Sequence, residues 1–136
     1  MAKIFYKKGY EYQLFQRYTV ETGIRSNNGG GNDWVYITPD GLLTIAKGYA
    51  WDGPSGPALD TPNFLRGSLV HDALYQLIRT CVLREDTDRI KADKLLQQLV
   101  IEDGMSTLRA WWVYQAVAHF GGIYMRNKQD NILFAP

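Results

Sequence analysis

The chain has 136 residues, 46% hydrophobic and 21% charged, the size and balance of one folded domain around a single core. Lys and Arg number 15 against 14 Asp and Glu, so the formal net charge is +1. There is no basic block, and the electrostatic footprint of a nucleic-acid binder is missing.

No apolar run reaches the length of a membrane span, and the first residues lack the apolar region of a secretory signal. Cys81 is the one cysteine, which fits a reducing compartment; its expected role is a small buried residue at a helix end.

Residues 4–46 read as β. Ile4-Phe5-Tyr6 is a candidate edge strand. Tyr12, Leu14, Gln16, Tyr18 and Val20 share one side of a single half-buried strand at period two. Ser26 to Asp33, rich in Gly and Asn, reads as a flexible connector. Its glycines are a weak match to a phosphate loop, because no GK[ST] and no helix follow. Trp34–Thr38 and Leu42–Ala46, joined by Pro39-Asp40-Gly41, form a hairpin.

Residues 48–60 hold three Gly and two Pro without periodicity, a loop of specified shape. Thr61-Pro62 is a helix start, and the helix should reach about Thr80. His71 lies on its apolar stripe with Gly67, Val70, Leu74, Leu77 and Ile78, while Asp72 and Tyr75 lie on the adjoining flank. Asp86 or Thr87 should cap a second helix that stops at Gly104. Its buried side is Ala92, Leu95, Leu96, Leu99 and Val100, with Asp93 at the border. The short Val82–Asp86 linker makes the two helices antiparallel neighbours and brings Asp93 within about a turn of His71 and Asp72. Ser106 should cap a third helix running to about Phe120, with Leu108, Trp111, Trp112, Gln115, Ala116 and His119 on one side, Trp111, Trp112 and Phe120 in the core and His119 packed or at the surface. Gly121-Gly122 should loosen or end it, leaving 122–136 as a polar tail whose Ile132-Leu133-Phe134 docks. The fold class expected is α+β, a small antiparallel sheet packed on three helices in a single domain.

A histidine beside an aspartate in an apolar helix points to one polar site. His71 could be a general base oriented by Asp93 or Asp52. Asp72 could bind a hard cation with carbonyls of the 51–56 loop, or His71 with Asp52, Asp72 and Asp93 could hold a transition metal. Calcium and zinc are the cations considered. Ser55 is a conceivable nucleophile, though no G-x-S-x-G elbow surrounds it. The structural alternative is a buried imidazole bonded to a carboxylate that pins the loop to the helices. Arg84, Glu85, Asp86, Asp88 and Arg89 read as a solvated helix start.

These residues resemble a family found mostly in tailed phages and prophages, domain-of-unknown-function family 1353. The resemblance rests on Gly48, Asp52, Ser55 and Pro57, on His71-Asp72-x-Leu74-Tyr75, on Ala92-Asp93, and on Phe120-Gly121, over roughly residues 10–124. It implies a phage origin, hence a place in the host cytoplasm or virion and a phage structural or host protein as partner. It implies no particular activity. Locally, His71-Asp72-x-x-Tyr75 is also similar to the HDxCY helix of secreted phospholipases A2. That likeness implies His71 as base, Asp72 with the Gly53–Gly56 loop as calcium site, and Asp93 as orienter of His71. Leu74 replaces the cysteine of that motif, and the disulfide framework is absent. The functional expectation is a phage-encoded accessory protein with a His/Asp site, a metal-dependent hydrolase. The alternative is a non-enzymatic virion component or host-protein binder in which the cluster is structural.

Overall fold

The structure, a computed structural model, describes residues 6–7, 12–51 and 61–130. The described residues form β1 (Tyr6–Lys7), β2 (Tyr12–Leu14), β3 (Tyr18–Glu21), β4 (Gly30–Gly31), β5 (Val35–Ile37), β6 (Leu42–Ile45) and β7 (Ala50–Trp51). Three helices follow, α1 (Pro62–Arg79), α2 (Glu85–Glu102) and α3 (Thr107–Asp130). This is an α+β fold, but its strands make two small antiparallel sheets, ordered β1-β2-β7 and β3-β6-β5-β4.

The hairpin forms as expected. Val35 pairs with Ile45 and Ile37 with Leu43, and all four side chains are fully buried, so one face of the pleat is core. The strand expected from Tyr12 to Val20 is instead divided at Phe15–Arg17. Its partner segment causes the division. Tyr18 pairs with Ile45, but the chain then turns at Ala46–Tyr49, and Leu14 bonds Gly48 and Tyr49 beyond that turn. Both segments bend together and pass from one sheet to the other. The Gly-Asn connector is likewise partly strand, with β4 paired to β5. A Cβ on Gly31 would come 2.0 Å from the Val35 carbonyl, so glycine is what lets this backbone lie so close.

α1 is the central element, with every residue from Phe64 to His71 buried. Its inner side joins β5, β6 and α2 in the main core, and its first turn joins Leu96, Val100, Met105, Ala110 and Val113 in a second cluster. At Gly67 a Cβ would meet Leu96 and Val100 side chains at 2.8 and 2.9 Å, so glycine sets how closely α1 approaches α2.

The helix ends differ in detail from expectation. Pro62 is at the start of α1, but the Thr61 hydroxyl donates to Asn63 Oδ1 (2.6 Å) and caps no backbone N–H. α2 is held from within, Asp88 Oδ2 accepting the Arg84 N–H at 2.8 Å in place of a cap from Asp86 or Thr87. Gly104 ends α2 and Ser106 caps α3 as expected, its hydroxyl accepting the Arg109 N–H at 3.2 Å. Cys81 is exposed, not buried: it occupies the left-handed position after α1 (φ 65°), while the Val82 N–H closes on the Leu77 carbonyl.

α3 inverts the expected orientation. Ala110 and Val113 face the core, while Leu108, Trp111, Trp112, Gln115, Ala116 and His119 are exposed. The helix has two apolar stripes, and the smaller one fits the cluster already filled by Phe64, Leu96 and Met105. It also runs on through Gly121-Gly122 to Asp130. Glycine costs a helix about 1 kcal/mol each but removes no hydrogen bond, so the pair weakens α3 without ending it.

Candidate functional site

Antiparallel packing of α1 and α2 sets His71 and Tyr75, one turn apart, against Asp93. His71 Nε2 lies 2.7 Å from Asp93 Oδ1, and the Tyr75 hydroxyl donates to the same oxygen at 2.6 Å. The two rings stand 4.1 Å apart between centroids, so each restricts the other's rotation. Asp93 is 0% exposed and His71 8%, so the carboxylate is enclosed while the imidazole keeps an edge toward solvent. A carboxylate only accepts, which places the Nε2 proton in this bond and leaves Nδ1 as the ring's other functional atom.

The second oxygen of Asp93 is housed differently. Oδ2 is buried and accepts no hydrogen bond among the described residues. The guanidinium of Arg89, one turn earlier on α2, stands 3.9 Å away, and its Nη1 donates to the Ala118 carbonyl of α3 at 3.3 Å. Arg89 therefore supplies charge to Asp93 without a direct bond. Burial, and after it the bond to Asp93, pushes the Tyr75 phenol well above its ordinary pKa. Tyr75 is thus a neutral donor across the ordinary pH range.

β7 is tied to α1 one turn before His71. Trp51, stacked on Tyr12, donates its indole N–H to the Ser68 hydroxyl at 3.0 Å, one helical turn before His71. Ser68 in turn donates to the Leu65 carbonyl. Asp52 and Ser55, with the rest of residues 52–60, lie outside the described residues. Asp72 is half-buried on α1. Among the described residues no three His, Cys, Asp or Glu side chains gather as a metal site. The sequence set Asp93 near His71 and Asp72; His71 is bonded to it, and Tyr75, read on the flank beside Asp72, is the second donor.

Two arginines escaped sequence reasoning. Arg89, read as part of a solvated helix start, is half-buried at Asp93; its position four residues before that aspartate was the available signal. Arg66 is buried within Phe64–Leu69 and makes a second polar node. It forks onto Asp103 through Nε (2.9 Å) and Nη2 (3.0 Å), and reaches Glu102 at 3.1 Å and the Tyr18 hydroxyl at 3.1 Å. An arginine in an unbroken buried run must find such partners, and that is the signal it left in the sequence.

Among the described residues, no helix is long and apolar enough to cross a membrane. Residues 31–117 match the model of a family described as "Protein of unknown function (DUF1353)". No curated protein and no solved structure matches the chain. The matched span runs from β4 to the middle of α3 and holds the His71–Tyr75–Asp93 cluster whole.

Proposed function

We propose that this chain, which belongs to the DUF1353 family of proteins of unknown function, is a hydrolase whose general base is His71. The observation that carries the reading is the convergence of His71 Nε2 and the Tyr75 hydroxyl on one oxygen of an enclosed aspartate. Such a carboxylate fixes the imidazole tautomer and balances the charge that appears when the ring takes a proton. Nδ1 is then the atom that removes a proton from water as the water attacks an ester carbonyl. Tyr75 holds Asp93 in place and stays protonated while doing so. Arg89, 3.9 Å from Asp93 Oδ2, adds a positive charge beside the same carboxylate.

Asp72, with Asp52 and loop carbonyls, would hold a divalent cation, calcium before zinc because the donors are hard oxygens. When bound, the cation would polarise the substrate carbonyl. The chain would act as a phage-encoded accessory protein, in the host cytoplasm or carried in the virion. A second reading, a non-enzymatic virion component or host-protein binder, is favoured by one observation: the near-complete burial of the cluster.

Hydrolysis of a panel of aryl and acyl-glycerol esters, with calcium, zinc or chelator, tests the proposal. His71→Gln should lower turnover at least 100-fold, the usual range for losing an acid–base group, with the unfolding midpoint little changed. No turnover on any ester, together with a melting temperature indifferent to calcium, zinc and chelator, would sink it in favour of the second reading.

A further inference from the structure

β3 is an outer strand of the four-stranded sheet, and its register tells which of its backbone groups are already used. Tyr18 pairs with Ile45 and Val20 with Leu43, and the ladder runs on to the bond from the Thr22 N–H to the Gly41 carbonyl. Antiparallel pairs alternate between bonded and non-bonded. Tyr18, Val20 and Thr22 therefore face β6, and the N–H and C=O groups of Arg17, Thr19 and Glu21 point away from it. The other side of β6 agrees. The Thr38 N–H bonds the Leu42 carbonyl and the Ala46 N–H bonds the Trp34 carbonyl, which commits Leu42, Thr44 and Ala46 to β5 and leaves Leu43 and Ile45 for β3. Arg17, Thr19 and Glu21 are all exposed. Neither charged residue has an ion-pair partner among the described residues. An edge with outward backbone groups is a template for another strand.

We infer that β3 is a self-association edge, on which β3 of a second copy lies antiparallel across a two-fold axis at Thr19. Charge selects both the occupant and the register. Centred on Thr19, the pairing sets Thr19 against Thr19 and, on either side of it, Arg17 against Glu21. These are the residues whose backbone groups point outward, so each facing pair exchanges both of its N–H···O bonds, with Cα atoms about 5.5 Å apart. Their side chains share the exposed face of the strand, opposite buried Tyr18 and half-buried Val20, so each ion pair forms directly across the new seam. A slip of two residues in either direction loses both ion pairs, and a parallel pairing sets Arg17 against Arg17 and Glu21 against Glu21. A charge that only guarded the edge could be of either sign at either end. Opposite charges placed two residues either side of one centre are self-complementary, which is what a two-fold requires.

Sedimentation velocity of the full chain, carried to several hundred micromolar, tests this. The wild type should pass from one copy towards two. Arg17→Glu and Glu21→Arg each set like charges opposite one another and should weaken association about tenfold, with melting unchanged because neither side chain is buried. The two variants mixed should associate with each other, since every Glu then faces an Arg, and the double variant should associate like wild type. Amide exchange reads the register: the Thr19 and Glu21 N–H groups should gain protection as concentration rises, while that of Val20, already bonded to β6, should not. A wild type that stays monomeric overturns the inference, as do single variants that associate like it. So does a mixture or a double variant that fails to associate. Association that protects no amide of β3 would place the interface elsewhere and overturn it as well.

Discussion

Arg66 and Asp93 are buried charges on the same α1–α2 seam, and the chain houses them in opposite ways. Arg66 is heavily bonded: its fork is filled by Asp103, with Glu102 and Tyr18 taking further N–H groups, so three elements are tied at one point. Asp93 is lopsided: two donors crowd Oδ1, while among the described residues Oδ2 has the charge of Arg89 at 3.9 Å. The first arrangement stabilises a fold. The second gathers an imidazole and a phenol on one oxygen of an enclosed carboxylate, so each bond holds the His71 ring in one orientation.

The comparison can be broken at either node. Arg66→Met keeps the aliphatic stem but strands Asp103 and the Tyr18 hydroxyl. It should cost about 3 kcal/mol in urea unfolding, the lower end for removing one partner of a buried pair because Asp103 retains some exposure. A loss under 1 kcal/mol would mean the Arg66 node is no strut.

Tyr75→Phe should cost somewhat less, about 2 kcal/mol, for one charge-assisted hydrogen bond. It carries its own pH signature. The folded pKa of Tyr75 is raised, so its contribution is complete below the phenol's ordinary value of 10.0 and fades as pH rises above it. Wild-type stability should therefore fall more steeply than that of Tyr75→Phe from pH 10 upward; parallel curves would contradict the buried bond.

The smallest effect belongs to the rim of the Arg66 node. Gln98 and Arg66 hold the Glu102 carboxyl below the usual range, so its small contribution is present above the ordinary carboxylate pKa and lost as pH falls through the lowered one. Glu102→Gln should erase that acid limb at a cost of a few tenths of a kcal/mol, as for other exposed pairs. A larger cost would show that Glu102 shares the strut.

Much of this was legible in the sequence. The hairpin at Val35–Ile45, the three helices and the meeting of His71 with Asp93 follow from periodicity and a short linker, because burial enforces them; the Tyr75 bond to Asp93 did not. What was not legible depends on partners distant in the chain. The break after Leu14 is imposed by a turn at Ala46–Tyr49, and the glycines at 29–31 read as slack until β5 is laid beside them. On α3 both stripes are apolar, so hydrophobicity could not choose between Trp111-Trp112 and Ala110-Val113. The volume left by Phe64 and Met105 did. Asp52 and Ser55, the loop half of the proposed site, lie outside the described residues.

The measurement closest to the central claim is the unfolding free energy of Asp93→Asn at pH 7, set beside that of Arg66→Met. An amide keeps an acceptor for His71 and Tyr75 but turns both charge-assisted bonds into neutral ones and removes the charge beside Arg89. The predicted loss is therefore about 2 kcal/mol, below that of Arg66→Met. A loss as large as that of Arg66→Met would contradict it, and would make Asp93 a second strut.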